Sequence, residues 1–269
     1  MTRLDTIGFI GAGTMGQALI KGLLAHGVSP RRLWAADARR AARRQVARRF
    51  RIRVTEDNRE LVRHARILVL AVKPQQFLDV LKQLNGHLTR RHLVISIAAG
   101  ITLRWLQTRL PGVPVVRVMP NLPATVGCGF SAISLGRSTR PRHRAATLAL
   151  FGAVGDVVEL PERHFDAVTA VSGSGPAYVF FLVQAWEQAA RSLGLPPAAA
   201  ASAIRQTLRG SLCLLRSSSA TAGALIGKVA SKKGTTEAAL RVLAKRRVQA
   251  HLIEAIRAAA RRSSALSWS

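Results

Sequence analysis

The chain has 269 residues, 48% of them apolar and 20% charged, enough to bury roughly 70 to 75% of its unfolded surface in one large or two smaller globular domains. That excludes a disordered tail and a disulfide-dependent miniprotein, and Cys128 and Cys213, with no CxxC or Cys/His cluster, point to a reducing compartment and to no metal site. Forty-one Lys and Arg, 34 of them Arg, against 13 Asp and Glu give a formal charge of +28. The excess is +17 over residues 1–162 and +11 over residues 163–269, so it belongs to a folded body and not to a detachable basic arm. The longest unbroken apolar run, Ala177 to Val183, is far short of the ~20 residues of a membrane-spanning helix, and no cleavage signature follows residues 7–20. A cytoplasmic chain with no membrane partner is expected.

In chain order, Ile7 to Ile10 reads as a short strand, followed by a glycine-rich turn and a helix that stops near Gly27. Leu33 to Ala36 is a second strand ending at Asp37, residues 38–50 an arginine-studded helix, and Ile52 to Val54 a third strand. Ile67 to Val72 and Leu93 to Ile97 are apolar throughout, as strands buried on both faces of a parallel sheet are. Phe77 to Leu84 and Leu103 to Leu110 supply helices, and Pro114 to Met119 the next strand. Gly129 to Leu135 and Val157 to Leu160 flank a helix over Arg142 to Phe151. About eight strands therefore fit into residues 1–160, in β-α-β alternation.

From Pro176 onward only alanine-rich helical blocks remain: Pro176 to Leu193, Ala198 to Leu215, Ala222 to Val229 and Thr236 to Arg262. The expected organisation is a Rossmann-like α/β dinucleotide-binding domain over residues 1–162 and an all-helical domain over 163–269. The first helix carries Tyr178, Phe181, Leu182, Ala185, Trp186 and Ala189, an apolar surface too broad for a single stripe, so it requires cover on most sides. A second copy of the chain is the expected cover.

Gly11-Ala12-Gly13-Thr14-Met15-Gly16 matches GxGxxG with a strand before it and a helix after it. Gly11 serves the tight turn, Gly13 the approach of a pyrophosphate, and Gly16 close helix packing, leaving phosphates at a helix N-terminus. Asp37 ends the second strand, where a carboxylate accepts from an adenosine ribose, while Arg39 and Arg40 beside it attract a 2′-phosphate instead. NADH and NADPH both remain open, with the arginine cluster from Arg39 to Arg53 leaning toward NADPH. Ala71-Val72-Lys73-Pro74-Gln75 and Arg117-Val118-Met119-Pro120-Asn121 leave strand ends on the crest where open α/β sheets bind ligands. Ser172-Gly173-Ser174-Gly175-Pro176-Ala177-Tyr178 opens the helical domain with Pro176 placed for a first turn. Ser231-Lys232-Lys233-Gly234-Thr235-Thr236 precedes the last long helix, where free N–H groups and hydroxyls make a carboxylate site.

With IGFIGAGTMGQALI, AVKPQ, ISIAAG, RVMPNLP, DAVTAVSGSGPAYVF and GTT in this order, the chain resembles the pyrroline-5-carboxylate reductase family from Ile7 to about Leu266. The resemblance implies an N-terminal dinucleotide-binding domain, a C-terminal helical dimerisation domain, homodimers that assemble into decamers, and reduction of 1-pyrroline-5-carboxylate to L-proline by NADPH or NADH. It implies cofactor contacts from the turn Gly11, Gly13, Thr14, Met15 and Gly16 and from Asn58, Ala71, Lys73 and Asn121, which join Asp37 and Arg39 as read from the end of the second strand. It implies substrate-carboxylate contacts from Ser231, Gly234, Thr235 and Thr236, with Thr236 the catalytic residue at the ring nitrogen. The chain departs from the family's SPGGTT by placing Lys232 and Lys233 where Pro and Gly usually stand.

Two other readings differ in class. A β-hydroxyacid dehydrogenase-like oxidoreductase would need a Lys and an Asn on the first helix of the second domain, where residues 179–184 read VFFLVQ. A nucleic-acid binder, as an inactive paralogue, would exploit the charge, but aromatic residues make up only 5% of the chain, leaving little for base stacking, so no specific nucleic-acid partner is expected.

Overall fold

The computed structural model describes residues 5–268. Eight strands, β1 (Ile7–Ile10), β2 (Leu33–Ala36), β3 (Arg53–Thr55), β4 (Ile67–Leu70), β5 (Leu93–Ser96), β6 (Val115–Pro120), β7 (Gly129–Leu135) and β8 (Gly155–Glu159), form one sheet in the order β3-β2-β1-β4-β5-β6-β7-β8. All neighbours are parallel except β6 and β7. The eight expected strands are present, within a few residues of the expected ends.

Helices α1 (Thr14–Ala25), α2 (Arg40–Phe50), α3 (Asn58–His64), α4 (Phe77–Leu84), α5 (Leu103–Arg109) and α6 (Pro141–Gly152) connect the strands. They cover the sheet on both faces, which is why β1, β2, β4 and β5 are buried along their whole length. Alternate residues feed two separate cores: Phe9, Val69 and Ile95 join Leu19, Ile20 and Phe151 on one side, and Ile10, Leu68, Leu70 and Val94 join Leu61, Phe77 and Leu106 on the other. The strand order reverses between β1 and β4, so the crevice beyond their carboxyl ends is the place where an open α/β sheet takes a ligand.

The chain separates into two compact units, one reaching Pro176 and including residues from Ala259 onward, the other Ala177–Ala258. Side chains explain why the first unit runs beyond residue 162. Phe165 is fully buried, Ser263 Oγ donates to Asp166 Oδ1 at 2.7 Å, and the Trp268 amide donates to the Gly100 carbonyl at 2.7 Å. Trp268 also meets the edge of Trp105, with ring centroids 5.3 Å apart. After α7 (Phe165–Val168) the backbone widens into a π turn over Thr169–Gly173, a rare geometry concentrated at functional sites.

The remaining helices are α8 (Gly175–Ser192), α9 (Pro197–Ser217), α10 (Ala222–Val229), α11 (Thr235–Lys245) and α12 (Val248–Ala265). Gly194, at φ +80°, ends α8, and Pro197 starts α9 in the first helical position. The single helix expected over Thr236 to Arg262 is two helices, because Arg247 adopts φ +52° and turns the chain between α11 and α12. No residue of α8 is buried, and Val179, Phe180, Phe181, Leu182 and Trp186 are all exposed. The helical stretch Glu162–Ser192 is long and apolar enough, by length and composition, to cross a membrane. That stretch includes Pro176 and Gln184, which end the unbroken apolar run Ala177 to Val183.

Candidate active site

The crevice at the reversal point is a cavity of about 510 Å³ whose lining includes Gly11, Gly13, Asp37, Arg39, Asn58 and Lys73. Gly11 sits at φ +99°, and a Cβ there would stand 2.7 Å from the Ala71 carbonyl oxygen. Gly16 has the same constraint toward the Gly11 carbonyl, also at 2.7 Å. Gly13 differs: a Cβ on it would meet no protein atom within 4 Å, so its small size leaves open space on the cavity side. Thr14 and Met15 begin α1, whose N-terminus lacks a side-chain cap, leaving amides free for an anion. These residues fit a dinucleotide's pyrophosphate.

Asp37, at the end of β2, holds this turn in place. Its Oδ2 accepts the Ala12 amide at 2.9 Å, and its Oδ1 accepts the Arg39 amide at 2.9 Å. The Arg39 guanidinium closes a fork on the same carboxylate, Nε to Oδ1 at 3.2 Å and Nη2 to Oδ2 at 3.3 Å. Burial pushes the Asp37 carboxyl up, but these bonds with Arg39 and the Ala12 amide outweigh it, and the group stays below its usual value. Arg43 is spent on the backbone, with Nη1 donating to the Asp37 and Ala38 carbonyls at 2.8 and 2.9 Å and Nη2 to Glu56 at 2.6 Å.

Asn58, the first residue of α3, donates through Nδ2 to Gln83 Oε1 at 2.7 Å, and Ala71, Lys73 and Gln76 line the same cavity beyond β4. Sequence reasoning misses Gln76 and Gln83; Gln76 is an isolated polar residue beside a motif, and only the packing of the first turn of α3 against the last turn of α4 brings Gln83 to the site. Thr14, Met15 and Gly16, in the first turn of α1, lie outside this lining, and so does Asn121. Its Oδ1 accepts the Phe130 amide at 2.9 Å, and its Nδ2 donates to Ser172 Oγ at 3.1 Å, tying the end of β6 to the π turn. Ser172 in that role carried no sequence signal of its own.

In the helical unit, Gly234 caps α11 with no side-chain bond, so the amides of Thr235 and Thr236 in its first turn are available to an anion. Gly234 donates to the Ser231 carbonyl at 3.1 Å, and a Cβ on it would strike Ser231 Oγ. Lys233 adopts φ +61°, a left-handed conformation that costs a side-chain-bearing residue about 1 kcal/mol or more. Its amide donates to Glu237, which also pairs with Arg241 at 3.1 Å, so an acidic residue of α11 stabilises the turn. Among the described residues, no group of three or more His, Cys, Asp or Glu is arranged to hold a metal.

Residues 162–266 match the pyrroline-5-carboxylate reductase dimerisation family, and residues 6–100 match the family described as NADP oxidoreductase, coenzyme F420-dependent. Pyrroline-5-carboxylate reductase of Synechocystis is 40% identical over 97% of both chains, and that of Arabidopsis thaliana 38% identical over 98% of this chain and 96% of its own. The solved reductase of Coxiella burnetii has a TM-score of 0.91 at 31% identity, covering 99% of this chain and all of its own. A Plasmodium falciparum pyrroline carboxylate reductase structure with NADP bound has the same TM-score of 0.91 at 27% identity, covering both chains fully. Motif order, sheet topology and full-length similarity agree: this chain belongs to the pyrroline-5-carboxylate reductase family.

Proposed function

We propose that this protein reduces 1-pyrroline-5-carboxylate to L-proline, the last step of proline biosynthesis, with NADPH or NADH as the electron donor. The observation that carries this reading is a pair of uncapped helix N-termini in a full-length family member. One lies at the head of a dinucleotide cleft, and the other at a Gly-Thr-Thr turn suited to a carboxylate.

The nicotinamide cofactor supplies the hydride. Gly11, Gly13, Thr14, Met15 and Gly16 hold the pyrophosphate, Asp37, Arg39 and Asn58 the ribose end, and Ala71 and Lys73 the approach to the nicotinamide, with Asn121 acting from the strand beside them. Ser231, Gly234 and Thr235 bind the substrate carboxylate, and the Thr236 hydroxyl meets the ring nitrogen. A cyclic imine protonated at nitrogen is already an electrophile. Hydride adds at its C=N carbon, the π pair becomes the nitrogen lone pair, and the proton already present stays, so the protein's task is orientation and electrostatics without a strong acid. Residues 1–162 serve the cofactor and residues 163–269 serve dimerisation and the substrate.

The exposed apolar face of α8 is covered by a second copy in a homodimer, and dimers build a decamer. The same cover accounts for a membrane-like composition in a cytoplasmic protein with no specific nucleic-acid partner. Incubating the purified protein with 1-pyrroline-5-carboxylate and either cofactor, and following nicotinamide absorbance, tests the activity. Thr236→Ala removes one hydrogen bond to a charged group, about 1.5–3 kcal/mol, and should cut turnover roughly ten- to a hundredfold while leaving NADPH binding unchanged. Unchanged turnover would remove Thr236 from its assigned role.

A further inference from the structure

We infer that the protein carries a second anion site, separate from the cofactor crevice, in which Arg90, Arg104 and Arg137 take the diphosphate group of a small molecule. The site lies at the opposite end of the sheet from the crevice and uses none of the residues assigned to the reaction.

Its place follows from the topology. The crevice lies beyond the carboxyl ends of β1 and β4. Strands β5 and β6 run parallel to these, whereas β7 runs back along β6 with Leu135 opposite Val116. The turns before β5 and β6 and the turn after β7 therefore share the amino end of the parallel strands. A cavity of about 600 Å³ lies there between α5 and these turns, a size that suits a small ligand.

Arg104 shares one face of α5 with Gln107 and Thr108, three and four residues on, and all three line the cavity. Arg137 and Ser138 line it from the turn after β7. Arg90 lies over Gly112, another lining residue at φ +76°, where a Cβ would stand 3.2 Å from Arg90 Nε. Gln107 Oε1 accepts the Arg137 amide at 2.7 Å, which leaves the donor end, Nε2, for a ligand. The Thr108 hydroxyl is spent on the Arg104 carbonyl at 3.0 Å and adds no donor.

Among the described residues the guanidinium groups of Arg90, Arg104 and Arg137 have no ion-pair partner, and no acidic side chain lines the cavity. Three cations from distant parts of the chain thus surround one concave space and raise its potential together. Guanidinium forks match phosphate oxygens two at a time. A single phosphoryl group carries about −1.5 to −2, short of three positive charges, and a diphosphate matches them more closely.

Inorganic pyrophosphate is titrated calorimetrically into the full-length protein at constant ionic strength, with and without NADPH. Binding that NADPH does not displace is expected. Arg104→Gln and Arg137→Gln should each weaken it about fivefold and together about 25-fold, with NADPH binding unchanged. Arg44→Gln, which removes an exposed charge on α2 outside the lining, should stay within about twofold of wild type. Thermal melts establish that the variants are folded. Displacement by NADPH, no binding to the NADPH-loaded protein, or an unchanged affinity in the double variant overturns the inference and leaves the cofactor reading standing. An equal loss in Arg44→Gln overturns it in favour of a diffuse field. Sulfate binding as tightly as pyrophosphate overturns the assignment to a diphosphate.

Discussion

Glu162 is a single side chain with two dependants. Its Oε1 accepts from Arg117 Nη1 at 2.8 Å and from the Leu103 amide, the first of α5, at 2.7 Å. Arg117 is 5% exposed and its guanidinium lies 4.8 Å from the centre of the Phe165 ring, so the pair joins β6, α5 and the start of α7. Glu162→Ala strands a buried guanidinium and orphans a helix-terminal amide. Stranding a buried ion costs about 3–5 kcal/mol and the lost amide bond about 1 kcal/mol. Glu162 is itself 27% exposed, so water entering the vacated space offsets part of this, and a net loss of about 3 kcal/mol follows. At about 2–4 °C per kcal/mol for a chain of this size, Tm should fall by roughly 6–12 °C.

Glu162→Gln keeps an acceptor oxygen for both donors and loses only the charge, so it should cost about 1–2 kcal/mol. Arg117→Met should be milder than Glu162→Ala, because it leaves a carboxylate that water reaches and that still holds the Leu103 amide. Urea unfolding of the single and double variants completes a cycle for the pair. A Glu162→Ala melt within 2 °C of wild type, or a coupling below about 0.5 kcal/mol, would refute the assignment of this pair as a structural joint.

Gly13→Ala should leave Tm unchanged, since its Cβ meets no protein atom, yet weaken NADPH binding at least tenfold in a fluorescence titration; equal affinity would mean that the pyrophosphate lies elsewhere. Gly16→Ala should impair both, because its Cβ would collide with the Gly11 backbone. His92 and His143 are held below the usual imidazole value, first by burial and then by neighbouring arginines. Their unfolded forms take up protons as pH falls through about 6.5 while the folded forms resist, so stability is complete above that pH and declines below it, by at most ~1.4 kcal/mol per pH unit for each ring. Melts from pH 8 to 5 should show the decline and His143→Gln should flatten it; a flat wild-type profile would contradict the sign. Lys233→Gly, at φ +61°, should keep or raise both Tm and kcat/KM, by about 1 kcal/mol in stability, whereas activity lost on this change would show that the lysine side chain itself is used.

The glycine turn was legible because each glycine answers a local demand: Gly11 a positive φ, Gly16 a contact one turn away, Gly13 an open approach. The strands were legible because β1, β2, β4 and β5 are apolar throughout, the mark of a sheet covered on both sides. Two features escaped for opposite reasons. The break at Arg247 has no glycine or proline to announce it, and α3 is only seven residues long, too short for a periodic signal.

The large positive charge looked first like a statement about partners. Its meaning at the site depends on which arginines are already engaged: Arg43 with carbonyls and Glu56, Arg117 with Glu162, and Arg39 with Asp37 while keeping donors free. By itself the sequence determined the strands, the glycine-rich turn, the family and the Gly-Thr-Thr turn before α11, because these depend on residue type, spacing and order along the chain. The tertiary structure decided the state of Asp37, the tie from Asn121 to Ser172, and the return of Trp268 onto Trp105. Each joins groups whose separation in the chain bears no relation to their separation in space, and a hydrogen-bond donor is spent or free only relative to neighbours that folding brings.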